Sequence, residues 1–394
     1  MAATRLAIVS THPIQYHSNW YRLLAAHPDL DIHVYYCHPA TPREQSDAGF
    51  GVEFDWDLPL LSGYPFTFLK NVADHPGPGR FSGFDTPEIK DIIGRREYDA
   101  VMVNGWMYKS AWQAIRACWK AGVKVMVRSD SHLHTPRGFF TRIAKAAAYP
   151  RFIPRFDACL AVGTWSKEYF FRYGARPERI FFVPHAVDND FFGSEAGRLK
   201  PLRSEQRKKW NLNDDAIVFA FSGKFIAKKR PMDFVRALHL AARQSAKLQG
   251  LMVGDGRLRA SCQEFVQNHY APVRFAGFMN QSQIPSAYAA CDALVLPSDG
   301  GETWGLVVNE AMACGLPAIV SDKVGCGPDL IIHGETGSIF PVGNVEALAN
   351  RMLEMAVSSA RLAEMGVNAA RMIKHYSAPL AVNNLVECLK AILH

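Results

Sequence analysis

The sequence predicts an α/β protein made of two doubly wound domains. Short β-rich runs alternate with helical patterns almost throughout the 394 residues. Such alternation is typical of parallel sheets that carry helices on both faces. The length exceeds what one hydrophobic core usually serves, and two sets of about six strands indicate two doubly wound domains and not one barrel.

The elements of the first half are predicted from apolar runs and from helical periodicity. Strands are expected at Leu6–Ser10, Asp31–Tyr36, Ala100–Asn104, Val123–Arg128, Ala158–Val162 and Ile180–Val183. Helices are expected between most of them, including Lys109–Ala121 and Thr164–Tyr173. The segment Cys37–Asp85 is rich in Pro, Gly and aromatic residues and is too long for a bare connection. It is expected to carry an extra hairpin or a binding insertion.

The second half repeats the pattern. Strands are expected at Ala216–Ser222, Leu248–Val253, Val273–Ala276, Ala293–Leu296, Pro317–Ser321 and Ser338–Phe340. Helices are expected at Pro231–Ala242, Leu258–Asn268, Ile284–Ala290 and Val307–Ala313.

The turn formers of Pro184–Gly193 predict the boundary between the two domains, followed by a polar segment, Arg198–Lys209. The first domain is expected over residues 1–190 and the second over residues 191–376. The amphipathic end of the chain, residues 377–394, is expected to form a helix that packs back on the first domain.

Composition limits the class of protein. Hydrophobic residues make up 48% and charged residues 21%, which is typical of a globular chain. No apolar run approaches the roughly 20 residues of a membrane span. The apolar run Leu6–Val9 is too short for the core of a signal peptide, so a cytoplasmic protein is expected. The eight cysteines form no Cys-x-x-Cys pair and are expected to be buried free thiols.

The net charge of +7 suits an anionic small molecule or an anionic membrane surface. No helix-turn-helix, zinc-finger or RNA-binding pattern accompanies it, so nucleic acid is not expected as a partner.

The richest stretch runs from Pro297 to Pro317 and reads as a strand end, a glycine-bearing turn and a helix. Ligands of doubly wound sheets gather at the carboxyl ends of the strands. The N-terminus of the helix offers unpaired N–H groups to a phosphate, and Gly305 allows a close approach of the backbone.

Two glutamates stand in this stretch, Glu302 and Glu310. Eight helical residues span about 12 Å, whereas the paired carboxyl groups of a retaining glycosidase are roughly 5–5.5 Å apart. The spacing therefore favours two contacts on one elongated ligand, one to a sugar and one to a ribose. The alternative is that Glu310 is an ordinary helix residue and Glu302 an ordinary loop charge.

This stretch resembles the signature of the family 4 glycosyltransferases, which are retaining enzymes of the GT-B fold with two Rossmann-like domains. Their pattern is Pro-Ser, a glutamate, Phe-Gly or a similar pair, and a second glutamate followed by Ala-Met-Ala-x-Gly-x-Pro; here Trp304 replaces the usual phenylalanine. The resemblance implies that Glu302 binds the donor sugar and Glu310 the ribose. It also places the donor at Thr303, Trp304 and the backbone amides of Gly305, Leu306 and Val307.

A basic loop, Gly223–Pro231, resembles the Gly-Arg…Lys-Gly loop with which the family clamps the diphosphate. Lys224 takes the arginine position and Lys229 the lysine position, while Arg230 replaces the glycine. A lysine keeps the charge but loses the bidentate fork of arginine. By itself the cluster reads as a solvated basic loop, but its place between a strand end and a helix start favours an anion site.

Two further loops follow strands of the second half, Gly254–Gly256 and Gly277-Phe278. The family places the nucleotide base against loops at these positions. The resemblance therefore adds Gly254 and Phe278 to the expected donor site.

The first half supplies fewer candidates. His12, Gln15 and His17 follow the first strand, where the family often carries a Gly-Gly loop that this chain lacks. Asp130 and His132 follow the strand near Val127, where relatives often have a histidine close to the reacting carbon. Each histidine has a packing or hydrogen-bonding role as its alternative. The pair Asp188 and Asp190 is interpreted as turn chemistry, and no metal is expected.

A basic and aromatic segment follows these candidates. Basic residues alternate in it with apolar ones: Arg137, Arg142, Lys145, Arg151 and Arg155 with Phe139, Phe140, Ile143, Tyr149 and Phe152. Such a helix either lies on an anionic membrane surface or presents a solvated face beside a core face, and the second interpretation is favoured.

Together these features predict a metal-independent retaining glycosyltransferase of polysaccharide or glycoconjugate biosynthesis, with a nucleotide-diphosphate sugar as co-substrate and no cofactor. The acceptor is a hydroxyl of a glycan, a lipid-linked or a small molecule, and the enzyme is cytoplasmic or peripheral at the inner face of the membrane. The alternatives are a sugar-nucleotide 2-epimerase of the same fold and a nucleotide-sugar-binding protein without turnover.

Overall fold

The computed structural model describes residues 3–39 and 53–394. These residues form two parallel sheets, each flanked by helices. The α/β fold of two doubly wound sheets predicted from the sequence is confirmed.

The first sheet has seven strands in the order β3-β2-β1-β4-β5-β6-β7, all parallel to their neighbours. They are β1 Thr4–Ser10, β2 Leu30–Tyr36, β3 Phe66–Phe68, β4 Ala100–Asn104, β5 Lys124–Ser129, β6 Ala158–Ala161 and β7 Ile180–Phe182. The helices of this half are α1 Gln15–Ala25, α2 Ile89–Gly94, α3 Lys109–Ala121, α4 Phe139–Phe152 and α5 Thr164–Arg172.

The second sheet has six strands in the order β10-β9-β8-β11-β12-β13. They are β8 Ile217–Ser222, β9 Leu248–Val253, β10 Val273–Gly277, β11 Ala293–Leu296, β12 Ala318–Ser321 and β13 Gly337–Phe340. The helices are α6 Asn189–Leu199, α7 Arg203–Lys209, α8 Pro231–Ala242, α9 Arg259–His269, α10 Ile284–Ala290, α11 Leu306–Ala313, α12 Gly327–Leu330, α13 Val345–Met355, α14 Ser359–Met372 and α15 Ala378–Leu393.

Most strands are continuous buried apolar runs, as both faces of each sheet are covered. The predicted strands lie within one or two residues of the observed ones. The exception is β3, which pairs in parallel with β2 inside the segment Cys37–Asp85. The extra hairpin expected there is absent from the described part of that segment, and residues 40–52 lie outside the described residues.

The predicted boundary and polar segment are largely helical. Asp188 caps α6 by accepting a hydrogen bond from the backbone N–H of Phe191 (3.0 Å), and Asp190 lies in the first turn of that helix, so both residues belong to a helix start and not to a turn. In α7, Arg207 is buried and donates to the carbonyls of Ala290 and Asn213 (3.0 and 2.9 Å). This arginine ties α7 to the end of α10 and to the loop before β8.

The final helix, α15, packs against α1 and β7 of the first sheet. Its buried face, including Leu385 and Leu389, belongs to the same apolar cluster as Leu6 and Ile8 of β1. The last helix of the chain thus contributes to the core of the first half.

All eight cysteines are free, and all are buried except the half-buried Cys314, as predicted. Within residues 3–39 and 53–394, no helix combines the length and the apolar character that crossing a bilayer requires.

In each sheet the strand order reverses next to the first strand, between β1 and β4 and between β8 and β11. Such a reversal opens a crevice at the carboxyl ends of the strands, where doubly wound sheets bind ligands. The loops that carry the candidate residues of the second half leave the sheet at this point.

Candidate active site

The basic loop meets the loop that carries Glu302, residues 297–305 (the glutamate loop), at the crevice between β8 and β11. The ammonium group of Lys229 forms an ion pair with the carboxylate of Glu302, and both side chains are largely buried. Ser298 donates to the same carboxylate from its hydroxyl (3.2 Å). The sequence separates Lys229 and Glu302 widely, and the reversal of strand order brings them together.

Charge in this crevice is predominantly positive. Burial, followed by the neighbouring charges of Lys228 and Lys229, lowers the pKa of Lys224 to about 8. Burial opposes the ionisation of Glu302, but Lys229 and Lys228 outweigh it and hold the pKa of that carboxyl below its ordinary value. Glu302 is therefore ionised, and three lysines surround one carboxylate, which favours binding of a further anion.

The start of α11 adds N–H groups to the same crevice. Gly305 precedes the helix with φ +105°, and a Cβ at this position would lie 2.8 Å from Leu296 Cδ2. Glycine is required for both reasons. Among the described residues no side chain caps α11, so the first N–H groups of the helix, including those of Leu306 and Val307, are available to a phosphate.

Glu310 lies inside α11 and is almost completely buried. Its two carboxylate oxygens accept hydrogen bonds from the hydroxyls of Tyr16 and Tyr288, each at 2.9 Å. Burial raises the pKa of Glu310 to about 7, although both tyrosines and Lys229 act in the opposite direction. Tyr16 belongs to α1 of the first half and Tyr288 to α10 of the second, so this carboxylate joins the two halves.

The first half contacts the glutamate loop through Asp130. Its carboxylate accepts a hydrogen bond from the hydroxyl of Thr303 (2.6 Å) and lies 3.8 Å from Nε2 of His185. Burial opposes its ionisation, but the hydrogen bonds and charge of His185 and Thr303 hold the pKa of Asp130 well below its ordinary value. His132 is buried beside the backbone of Glu302, and burial lowers its pKa.

Arg128 fixes the first-half side of this contact. It is buried and donates to the carbonyl of Pro184 (2.9 Å), next to His185 Nδ1 (3.3 Å), and its guanidinium lies 4.7 Å from the ring centre of Trp20. Burial lowers the pKa of Arg128 to about 10. Burial, followed by the charge of Arg128, also lowers the pKa of His17.

The other first-half candidates lie at the carboxyl end of β1. His12 Nδ1 is 3.1 Å from the hydroxyl of Thr11. Gln15 begins α1 and interacts with the hydroxyl of its neighbour Tyr16. Gln15 therefore lies close to the contact that Tyr16 makes with Glu310.

Trp304 is buried at the contact between the two halves. Its indole N–H donates to Asn309 (2.9 Å), and its ring lies 5.9 Å from the ring of His185 and 5.9 Å from that of Tyr376. The side chain of Trp304 thus packs between domains, and only its backbone lies along the glutamate loop.

The two loops expected to hold the base, at Gly254 and at Gly277-Phe278, pack against each other and against the basic loop. Gly254 has φ +123°, its N–H donates to the carbonyl of Gly277 (2.7 Å), and a Cβ on it would lie 2.0 Å from the carbonyl oxygen of Gly223. Phe278 lies against Phe54 of the first half, with ring centres 4.3 Å apart. Arg230 adopts φ +51°, a backbone conformation that glycine reaches more easily, and it pairs with Asp233 (2.6 Å).

The structure thus brings most of the expected residues to one cleft, and it adds some that the sequence did not single out. Tyr16, Arg128, His185 and Tyr288 are the additions. Tyr16 directly follows the candidate Gln15, so its place in the sequence already indicated a role in the site. Tyr288 lies within a helix, and its place in the sequence gave no such indication. Within the described ranges, no group of three or more His, Cys, Asp or Glu side chains is placed to hold a metal ion.

The fold consists of two doubly wound domains. A cationic crevice in the second domain faces polar side chains of the first. This arrangement is that of the GT-B class of sugar-transferring proteins. The family model described as Glycosyl transferases group 1 matches residues 203–372, and the model described as Glycosyl transferase 4-like domain matches residues 16–186. The chain belongs to the family 4 glycosyltransferases of the GT-B fold, as the sequence predicted.

Curated relatives agree with this assignment. The chain is 29% identical over 171 residues to the N-acetyl-alpha-D-glucosaminyl L-malate synthase of Bacillus anthracis. The matched region covers 43% of this chain and 44% of that protein. The chain is 27% identical over 366 residues to the D-inositol 3-phosphate glycosyltransferase of Rhodococcus jostii, covering 84% and 77%. Several matches, the first among them, span about half the length of the relative.

Solved structures share the fold over nearly the whole chain. HepE of Anabaena in complex with UDP and glucose superposes with a TM-score of 0.69 at 16% identity, covering 98% of this chain and 99% of HepE. A glycosyltransferase from Rickettsia africae superposes with a TM-score of 0.75 at 15% identity, covering 100% and 99%.

Proposed function

We propose that this protein transfers a sugar from a nucleotide-diphosphate donor to an acceptor hydroxyl, with retention of the anomeric configuration. The observation that carries the proposal is the ion pair of Lys229 with the buried Glu302, next to the uncapped start of α11. This arrangement offers cations and N–H groups to a diphosphate and a carboxylate to the sugar hydroxyls. Family membership and relatives named as glycosyltransferases support it.

The reaction breaks the bond between the anomeric carbon and the diphosphate oxygen and forms a bond from that carbon to the acceptor oxygen on the same face. The leaving diphosphate gains negative charge as the bond breaks. Lys224, Lys229 and the N-terminus of α11 stabilise that charge. The diphosphate oxygen takes the proton of the acceptor hydroxyl, so the step needs no separate base.

The two glutamates have separate tasks in this proposal. Glu302, held by Lys229 and Ser298, orients hydroxyls of the donor sugar. Glu310 accepts hydrogen bonds from the ribose in place of a tyrosine hydroxyl. Asp130 and His132 lie on the first-half side of Glu302 and Thr303, where the reacting carbon would face the acceptor.

The donor is proposed as the only co-substrate, with the lysines in the place that a divalent cation takes in metal-dependent transferases. UDP and glucose are present in the HepE complex; the donor of this chain is defined only as a nucleotide-diphosphate sugar. The acceptor is a hydroxyl of a glycan, a lipid-linked or a small molecule, and the reaction is placed in the cytoplasm or at the inner face of the membrane.

A panel of sugar nucleotides in a thermal-shift assay would identify the donor, and transfer to candidate acceptors would follow in the presence of a chelator. We expect one donor to raise the melting temperature and to be consumed with an acceptor, giving a product whose anomeric proton coupling matches the donor. A product of inverted configuration would contradict retention. An epimer formed from the donor alone would identify an epimerase, and binding without turnover on every acceptor would identify a binding protein.

A further inference from the structure

Helix α4, Phe139–Phe152, differs from the other long helices of the first half because none of its 14 residues is buried. Phe140 is 84% exposed, Phe139 71% and Ile143 52%. They lie on the first turns of one helix, so they form a single apolar surface. The exposed face of this helix, which the sequence predicted as a solvated face beside a core face, is thus apolar at its start.

The opposite side of α4 anchors the helix to the first half. The ring of Trp106 lies 5.8 Å from Tyr149 and 5.9 Å from Phe152, and the Lys145 ammonium group donates to the hydroxyl of Tyr169 (3.0 Å). The exposed aromatic side chains are therefore held outward by a fixed helix.

The charged residues along this stretch of chain have one sign. Between Asp130 and Asp157 the chain contains no acidic residue. The same stretch carries five basic residues, Arg137, Arg142, Lys145, Arg151 and Arg155. Exposed phenylalanines flanked by arginines are the combination with which interfacial helices bind anionic lipid.

This surface adjoins the candidate donor site. Gly300 of the glutamate loop lies against the chain just before α4. A Cβ on this glycine would lie 2.5 Å from the carbonyl oxygen of His134 and 3.1 Å from Pro136 Cδ. Three residues of chain lead from Pro136 to Phe139, which limits their separation to about 11 Å. A surface bound by α4 would thus lie beside the cleft in which the sugar is proposed to be transferred.

We infer that the start of α4, with Phe139, Phe140, Ile143, Arg137 and Arg142, docks the protein on an anionic lipid surface. The three apolar side chains enter the boundary between headgroups and acyl chains, and the arginines pair with lipid phosphates. The docking itself does not depend on the proposed function. Its consequence for the acceptor does, because it selects acceptors presented at the membrane, such as lipid-linked hydroxyls.

Co-sedimentation with vesicles tests the inference on the full chain without any sugar nucleotide. Vesicles of phosphatidylcholine alone are compared with vesicles in which about a third of the lipid is phosphatidylglycerol. We expect binding to the anionic vesicles, weakened by added salt because exposed charges are screened. The absence of binding to anionic vesicles, or equal binding to both kinds, would overturn the inference.

Two variants and a matched control locate the surface. Phe139→Ser with Phe140→Ser should weaken binding about tenfold or more, and Arg137→Gln with Arg142→Gln should remove the preference for anionic lipid. The control, Val357→Ser with Val367→Ser, changes equally exposed apolar side chains of the second half (82% and 60%) and should bind like the wild type. Unchanged binding of the phenylalanine variant would refute the assignment to α4.

Sedimentation velocity without lipid tests whether a second copy of the chain occupies this surface instead. A wild-type dimer that the phenylalanine variant loses would show that α4 pairs with a second copy of the chain, and it would overturn the lipid assignment. Because none of these measurements uses a donor, they separate failure of the docking surface from failure of the proposed transfer reaction.

Discussion

Lys229 is the residue on which the charge balance of the cleft depends. It pairs with Glu302, lowers the pKa of Lys224 and also acts on Glu310. Its interaction with both glutamates suits a group that holds a diphosphate linking a sugar to a ribose.

Lys229→Ala should abolish transfer, since loss of one group that stabilises a developing negative charge typically costs a factor of about 10²–10³ in kcat. It should also destabilise the fold by about 3 kcal/mol, because a buried carboxylate loses its partner. The double variant Lys229→Ala with Glu302→Ala should recover much of this stability and none of the activity. Steady-state kinetics and urea unfolding measure both effects, and wild-type turnover in Lys229→Ala would contradict the site assignment.

Glu310 should make the stability of the protein depend on pH. Burial raises its pKa from 4.5 to about 7, so between these values the folded protein holds a proton that the unfolded chain has released. The stability from this proton is complete below pH 4.5 and is lost as the pH rises through 7. Relative to Glu310→Gln, the wild type should lose on the order of 2–3 kcal/mol between pH 4.5 and pH 7.5.

Urea unfolding of both proteins at the two pH values measures that difference. Parallel curves for wild type and Glu310→Gln would show that Glu310 does not titrate in this range. Another buried carboxylate, that of Glu302, has its pKa lowered, so Glu302→Gln serves as a control that should not reproduce the effect.

At the scale of the element, the site consists of loops that leave neighbouring strands at the crevice of the second sheet. The motif stretches 224–230 and 302–310 could be predicted because each is contiguous in sequence and has a characteristic strand–loop–helix context. Buried parallel strands could be predicted because they are continuous apolar runs. The strand β3 could not, since Phe66–Phe68 is a half-exposed edge strand of three residues with no apolar run.

The contacts between the two halves were not predictable from local pattern. Tyr16 meets Glu310, and Thr303 meets Asp130, across 294 and 173 positions of sequence. Only the relative placement of the two sheets brings these partners together. Helix α4 illustrates a different difficulty, because the alternation of basic and aromatic residues does not reveal which face packs on the core.

Gly305→Ala should displace the start of α11. A non-glycine residue at φ +105° costs about 1–2 kcal/mol, and the contact of the new methyl with Leu296 adds to it. Gly315→Ala is the matched control, as it also has positive φ (+79°) but its Cβ would come no closer than 3.9 Å to Gly366. Both should lower the melting temperature, but only Gly305→Ala should also weaken binding of a nucleoside diphosphate in calorimetry. Equal affinities would argue against a phosphate at this helix start.

At the scale of the whole molecule, several polar contacts and one helix join the halves. Thr164 of α5 donates to Asp329 (3.0 Å), as does the hydroxyl of Tyr376 (3.1 Å). Tyr16 with Glu310 and Thr303 with Asp130 line the cleft. Helix α15 returns from the second half to the first. The contacts that line the cleft are the ones a donor would have to replace.

Tyr16→Phe should favour an opened form of the unliganded protein, because it removes a hydrogen bond between the two halves. Tyr288→Phe is the matched control, since its hydroxyl contacts the other oxygen of the same carboxylate from within the second half. We expect a larger radius of gyration in small-angle scattering for Tyr16→Phe only, and an increase of up to about tenfold in donor affinity. The same scattering curve for both variants would show that Tyr16 does not hold the cleft closed.

The contact of Tyr16 with Glu310 also has a kinetic consequence. In the proposed binding mode the ribose takes the position of the Tyr16 hydroxyl on Glu310, so a molecule in the arrangement described here must release Tyr16 before the ribose is seated. The observed rate of nucleotide association should then level off at high nucleotide concentration, at the rate of that release. The plateau would be the same for every nucleotide with an intact ribose diol, however tightly each one binds.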